Sequence, residues 1–250
     1  MGYLSGVGRV LFLHAHPDDE TLATGALIAE LVAGGVEVGV LTATRGERGD
    51  VVAGVAEGRD LVAWREAELS AALAVLGVHR HAFLGDPPAR DPGRPRRRYS
   101  DSGMVWLTPD VAGPGPDAGP DALTAAPLNE AAADAAAYLE WFGTDVLISY
   151  DSFGGYGHPD HVACHHIAAA AARRTRVRFL EVVSGQRLAA AGTDAETQHL
   201  PQRLPTVTEA LTRYASQLTV DGAEVVHVGG QREPIETSAT LRPVRSGRTR

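Results

Sequence analysis

Seven consecutive residues, His14-Ala15-His16-Pro17-Asp18-Asp19-Glu20, gather two imidazoles and three carboxylates. So much charge in one short run suits a cation better than a core. A second group, Gly154-Gly155-Tyr156-Gly157-His158-Pro159-Asp160-His161, adds two more histidines behind a glycine-rich approach. His158 and His161 are three residues apart, so at a helix start both can face one site. Zinc takes nitrogen or oxygen donors from three side chains and keeps a place for water. One His and one Asp of the first group with one His of the second would supply that set. A carboxylate left over can take a proton from the water, and a histidine left over can polarise a carbonyl. These are the groups that metal-assisted amide hydrolysis needs. Either group alone would serve as a helix cap with surface histidines; two His-Pro-Asp groups argue for chemistry.

Both groups need elements that carry them to one place. Arg9 to His14 is a short apolar run and reads as a first strand, ending at the first group. Glu20 to Ala33 has helical spacing, and Gly34-Gly35 would end it. Val36 to Thr42 is a second strand, Trp64 to Leu76 a helix, and His81 to Leu84 a third strand. Leu128 to Phe142 is a helix, Asp145 to Ser149 a strand, His158 to Arg173 a helix, and Val177 to Val183 a strand. Strands alternating with helices predict a parallel sheet covered on both faces, with the ligand site at the carboxyl ends of the strands. Asp86 to Pro127 interrupts the pattern as a Pro-, Gly- and Arg-rich loop, long enough to be functional, disordered or both. Further on, Thr206 to Leu218 reads as a helix and Glu224 to Val228 as a strand. Residues 1–185 are therefore expected to form the catalytic domain and 186–241 an extension that completes it. Residues 242–250 are expected to form a disordered basic tail.

The 250 residues suit one domain, and the net charge of −8 argues against a nucleic-acid partner. No apolar stretch is long enough for a transmembrane helix, and the N-terminus lacks the pattern of a secretion signal. Cys164 is the sole cysteine, so no intrachain disulfide can form. A cytoplasmic location is the expectation. All 23 basic residues are arginine. A phosphate-cradling lysine loop and a Schiff-base lysine are thereby excluded, and no G-x-G-x-x-G follows the first strand.

His14-Ala-His16-Pro-Asp18-Asp19-Glu20, Thr44-Arg-Gly-Glu47 and Gly157-His158-Pro-Asp160-His161 together resemble the PIG-L/LmbE-type N-acetylglucosaminyl deacetylases. The resemblance implies a Rossmann-like, mostly parallel sheet with helices on both faces. It also implies one Zn2+ per chain, held by His16, Asp19 and His161, with Fe2+ as an alternative. Asp18 would be the general base and then the acid. His158 would stabilise the oxyanion, with Asp160 orienting it, and Tyr156 would swing toward the tetrahedral intermediate. His14 would be a neighbour and not a ligand. Within the family the chain is similar to the actinobacterial branch of mycothiol biosynthesis, and its arginine-only, alanine-rich composition suits a GC-rich genome. That branch implies substrate contacts from Arg65, in Trp64-Arg65-Glu66-Ala67-Glu68-Leu69, and from Asp101, in Asp101-Ser102-Gly103-Met104. Glu47, Asp50 and Met104 are added to the substrate-binding set. Tyr214 to Val220 and Gln231 to Ile235 also look like that branch. The segment Asp50 to Leu61 is shorter than its usual counterpart, and Asp50 stands where a glutamate is typical.

The expected reaction is hydrolysis of the acetamide of an N-acetylglucosamine-type sugar, on inositol or a related aglycone, to acetate and a free amine. The partner is then a small acetylated amino sugar or glycoside; a homo-oligomer is compatible with the sequence. The rivals are an amidase acting on mycothiol S-conjugates, a deacetylase tailoring a glycosylated natural product, and a metal-containing sugar-binding protein without turnover. Three side features are read structurally: Cys164 as a buried small hydrophobe, His165 as structural, and Arg96-Arg97-Arg98 as a solvated run rather than an anion clamp.

Overall fold

A computed structural model describes residues 2–55, 58, 60–116 and 118–244. Strand β1 (Arg9–His14) leads into α1 (Asp19–Ala33), β2 (Glu37–Thr42), α2 (Leu61–Leu76) and β3 (Arg80–Phe83). A hairpin of β4 (Met104–Thr108) and β5 (Val111–Pro114) precedes α3 (Leu128–Phe142), β6 (Val146–Tyr150), α4 (Pro159–Thr175) and β7 (Arg178–Val183). The remainder comprises β8 (Glu196–His199), α5 (Leu204–Leu211), β9 (Leu218–Asp221), β10 (Glu224–His227), β11 (Arg232–Pro234) and β12 (Ser238–Pro243). The main sheet runs β3-β2-β1-β6-β7-β12-β8. Its first five strands are parallel; β12 lies antiparallel between β7 and β8. The expected parallel sheet with helices on both faces is therefore present, with an antiparallel edge.

Strand residues alternate between two apolar layers. Val10 and Phe12 face α1, α2 and α5, whereas Leu11 and Leu13 face α3 and α4. Alanines dominate the buried faces of α3 (Ala131, Ala132, Ala135, Ala136) and α4 (Ala168, Ala171, Ala172), so these helices approach closely. Cys164 is fully buried in that layer. The chain builds outward from β1 to β3, then returns to the other side of β1 as β6. The order thus reverses between β1 and β6, and at such a point the loops diverge and leave a crevice at the carboxyl ends. Both His/Asp groups emerge there.

Several boundaries differ from the sequence reading. Helix α2 begins one turn before Trp64, because Asp60 caps it by accepting from Val62 N (3.0 Å) and Ala63 N (3.3 Å). Helix α5 starts earlier, with Pro205 in its first turn, and stops at Leu211 instead of Leu218. Beyond it the chain turns, with Gln217 N and Leu218 N both donating to Tyr214 O. Of the tail expected from Arg242, the first two residues belong to the sheet instead: Arg242 and Pro243 pair within β12, and the Arg242 guanidinium bonds Glu181. Residues 245–250 lie outside the described residues.

The long 86–127 segment is built and not a plain loop. Arg90 donates to Glu130 (3.0 Å) and Asp134 (2.7 Å), Asp91 N to Asp134 (2.8 Å), and Tyr99 Oη to Asp134 (2.7 Å). These bonds clamp residues 90–99 onto α3. Gly85 makes the fold-back possible: its φ is +87°, and a Cβ there would lie 1.9 Å from Arg97 O. The arginine run is consumed by the protein itself. Arg96 pairs with Asp86 (2.9 Å), Arg97 with Glu130 (2.7 Å) and Arg98 with Glu47 (3.1 Å). No helix among the described residues is long and apolar enough to cross a membrane.

Candidate metal centre and active site

Strand β1 keeps pairing past its end, with Ala43 N donating to His14 O (2.8 Å) and Thr44 N to Ala15 O (2.9 Å). Ala15 N in turn donates to Tyr150 Oη at 2.9 Å. That fixes the base of the 15–19 loop. Asp18 then adopts φ +114°, a conformation uncommon outside glycine and frequent at functional sites. The loop is braced from far along the chain: Gln217 Nε2 donates to Pro17 O at 2.8 Å, and the Tyr214 and Thr21 hydroxyls both bond Glu20 Oε1. His14 points away into the fold, with Nε2 2.9 Å from Thr24 Oγ1, so it is a neighbour of the site.

The second loop is shaped by Asp151, whose Oδ1 accepts from Phe153 N (3.0 Å), Gly154 N (3.0 Å) and Gly155 N (3.4 Å). Gly154 has φ +73°, and a Cβ there would meet His161 Cβ and Val162 N at 2.9 Å. The loop therefore lies directly against the start of α4. His16, His158 and His161 offer ring nitrogens that lie within 4.8 Å of one another, and His16, Asp101 and Asp160 form a second such group. Asp19 bridges two of the histidines, with Oδ2 3.2 Å from His16 Nδ1 and Oδ1 3.3 Å from His161 Nε2. The latter approach lacks hydrogen-bond geometry, and His161 Nε2 is buried without a hydrogen-bond partner. The Tyr150 ring stacks on His161 at 4.1 Å.

A buried, unpartnered imidazole nitrogen beside a carboxylate fits a cation ligand. His16 adds support, because its Nε2 lies 3.1 Å from Asp160 Oδ2 while Nδ1 faces Asp19. A histidine that ligates through one nitrogen commonly gives its other N–H to a carboxylate. His158 Nδ1 accepts from Asp160 N at 3.1 Å. The neutral ring therefore carries its proton on Nε2, as a donor. Burial and the neighbouring His16 and His161 hold the His158 pKa at about 2, so the ring is neutral. Asp160 differs from expectation: its carboxylate bonds Ser102 N (2.9 Å), Ser102 Oγ (2.5 Å) and His16, and only its backbone reaches His158.

Burial pushes the Asp18 carboxyl well above its usual range, and the adjacent Asp19 and Glu20 add to this. Burial would push Asp19 the same way, but His161 and His16 outweigh it and hold Asp19 well below. Two adjacent carboxyls are thus driven apart, one toward proton exchange and the other toward permanent charge.

The expected substrate residues divide. Asp101 lies in the site, 3.7 Å from His16 Nε2, with its Oδ1 accepting from Gly103 N and its Oδ2 from Arg48 N. Met104 opens β4 immediately beyond. Glu47 is occupied by Arg98 Nε (3.1 Å), Asp101 N (3.0 Å) and Arg45 N (3.2 Å), which makes it a tie between rims. Arg65 is buried beneath the loop and donates to Gly46 O, Gly49 O (3.1 Å) and Asp50 O (2.8 Å). Its bonds therefore hold the 46–50 loop that carries Glu47. The Asp50 residue is exposed, and its carbonyl is what Arg65 holds. Tyr156 stands at the mouth, 5.2 Å ring to ring from His161. His165 bonds Tyr150 O at 2.9 Å and stays outside the cluster. Sequence reasoning missed Tyr150, Asp151 and Ser102. Of these only Asp151 carried a signal, an Asp between a buried strand and a Gly-rich turn.

Fold and donor set define an α/β protein with a histidine–aspartate centre at its switch point. The family model described as PIG-L, GlcNAc-PI de-N-acetylase, matches residues 11–172, and the chain belongs to this family. It is 40% identical over 212 residues to the 1D-myo-inositol 2-acetamido-2-deoxy-α-D-glucopyranoside deacetylase of Actinosynnema mirum, covering 81% of this chain and 69% of that protein. It is 43% identical over 166 residues to the protein of the same name from Kineococcus radiotolerans, covering 65% of this chain and 44% of that one. The chain thus spans less than half of the second relative's length. A deacetylase of teicoplanin biosynthesis, solved with teicoplanin, shares the fold with a TM-score of 0.61 at 20% identity, covering 95% of this chain and all of that one.

Proposed function

We propose that this protein hydrolyses the acetamide of an N-acetylglucosamine glycoside, with inositol as the favoured aglycone, using one divalent cation per chain, zinc or Fe2+. The observation that carries the reading is the meeting of His16, His158 and His161 at the switch point, with Asp19 against His16 and His161, Asp18 interacting with Asp19 and His16, and His161 Nε2 buried without a hydrogen bond. The named relatives act, by their names, on the inositol glycoside, and this supports the choice of aglycone.

His16, Asp19 and His161 would hold the cation. When bound, it would polarise the amide and make water a nucleophile near neutral pH. Asp18 takes a proton from the attacking water. His158 Nε2–H donates to the amide oxygen as charge develops there. Asp18, with its raised pKa, then delivers the proton to the leaving nitrogen as the C–N bond breaks, giving acetate and the free amine. Tyr156, whose ring lies beside those of His158 and His161, would donate to the same oxygen.

The test is amine release from N-acetylglucosaminyl-inositol, N-acetylglucosamine and a mycothiol S-conjugate by metal-loaded and chelator-treated protein. Turnover of the inositol glycoside, lost on chelation, is expected. Asp18→Asn should lower kcat about 10²- to 10⁴-fold with the metal content unchanged. Turnover of the S-conjugate alone would favour an amidase. A metal-loaded protein that releases no amine from any acetylated sugar would refute the proposal.

A further inference from the structure

The hairpin β4–β5 grows straight out of the catalytic residues. Asp101 and Ser102, which touch His16 and Asp160, are followed by Met104-Val105-Trp106-Leu107. The hairpin is tied to the other loop, since Ala112 N donates to Tyr156 O at 2.8 Å. Trp106 pairs with Ala112 across the hairpin and lays its ring on Tyr156 at 5.6 Å, interplanar angle 30°. Tyr156 in turn meets the edges of His161 and His158. A continuous aromatic path therefore runs from the histidine cluster to a tryptophan that is still 50% exposed. Met104 lies two residues away and so shares the Trp106 face. Val105 and Leu107 beside it are exposed as well, so the hairpin presents a contiguous apolar patch of the kind that marks a binding surface.

Resting on the deacetylase reading above, we infer that the Trp106 face is a specificity subsite for the ring attached to the acetylated sugar. A substrate with its acetamide at the histidines would carry its next ring one aromatic ring further out, against Trp106. The chemistry recognised is a ring with an apolar face, either the C–H face of a cyclitol or sugar or the plane of an aryl group.

The experiment compares wild type, Trp106→Ala and Trp106→Phe on the inositol, phenyl and methyl glycosides of N-acetylglucosamine. The selectivity, kcat/KM of a ring aglycone over the methyl glycoside, should fall about three- to tenfold in Trp106→Ala, mainly through KM. Trp106→Phe should restore most of it. A fall with inositol alone assigns a cyclitol or sugar ring; a fall with phenyl alone assigns an aryl ring. An equal change on all three glycosides reports only on Tyr156 and overturns the inference, as does no change. Calorimetric affinity for glucosaminyl-inositol and phenyl glucosaminide gives a readout free of turnover. Weaker binding by Trp106→Ala without amine release by any variant keeps the subsite and sinks the deacetylase reading. Equal binding by wild type and Trp106→Ala overturns the subsite.

Discussion

Replacing Tyr150 by Phe removes one oxygen from beneath the 15–19 loop and little else. The Phe ring retains the volume and the stack on His161. The oxygen, however, is the acceptor for Ala15 N at 2.9 Å, and Ala15 is fully buried. It also lies 3.3 Å from His14 Nδ1. His14 belongs to the same chain of bonds. Thr24 Oγ1 spends its proton on Glu20 O (2.9 Å), so His14 Nε2 must carry a proton and donate to Thr24. Burial holds the His14 pKa at about 4, so its Nδ1 is bare and can only accept. The Tyr150 proton is therefore left for His14 Nδ1 or for Asp19, which it also faces. Tyr150→Phe strands the Ala15 N–H in a dry site, at a cost of about 1–3 kcal/mol. For a domain of this size each kcal/mol lowers Tm by roughly 2–4 °C. Metal-free protein should show this in urea unfolding as a lower midpoint at unchanged slope. Metal affinity should also fall, because His16 follows Ala15. A variant within about 0.5 kcal/mol of wild type would refute the bonding scheme.

Three other outcomes follow from the geometry. Burial, with Arg45 adding to it, holds His81 at about 4, so folding favours the neutral ring. That stability is complete above about pH 6.5 and is lost as pH falls toward 4. Its full value of roughly 3 kcal/mol is cut by partial solvent contact to about 1–2. The pH dependence of urea stability over that window should flatten in His81→Gln, and an unchanged slope would count against the assignment. Asp134→Ala leaves Arg90, Tyr99 Oη and Asp91 N without their shared acceptor and should cost about 3–5 kcal/mol, seen as a lower Tm. Gly85→Ala would set a Cβ 1.9 Å from Arg97 O at φ +87°; it should cost more than about 2 kcal/mol in the same assay, and a neutral effect would contradict the fold-back.

The two His-Pro-Asp groups were legible because each is continuous in sequence and follows an apolar strand, so topology alone brings them together. The bond between Ser102 and Asp160 was not, because it joins residues 58 apart through a hairpin. That hairpin is written in Val105-Trp106-Leu107-Thr108, a β-rich run before Pro109-Asp110, but the surrounding prolines and glycines obscured it. Strand β8, Glu-Thr-Gln-His, has no apolar signature; its strand identity comes from pairing with β12. The bonds of Arg65 to the carbonyls of Gly46, Gly49 and Asp50 were likewise not legible, because they depend on how the 46–50 loop folds back over α2.

The bracing of Pro17 and Glu20 by Gln217 and Tyr214 has a consequence for the order of assembly. A ribosome delivers residues from the N-terminus onward. His16, Asp19 and His161 therefore all emerge before the segment that steadies two of them. The proposed cation donors are thus synthesised before the residues that brace the loop, and the bonds from Tyr214 and Gln217 can form only once that later segment packs against α1.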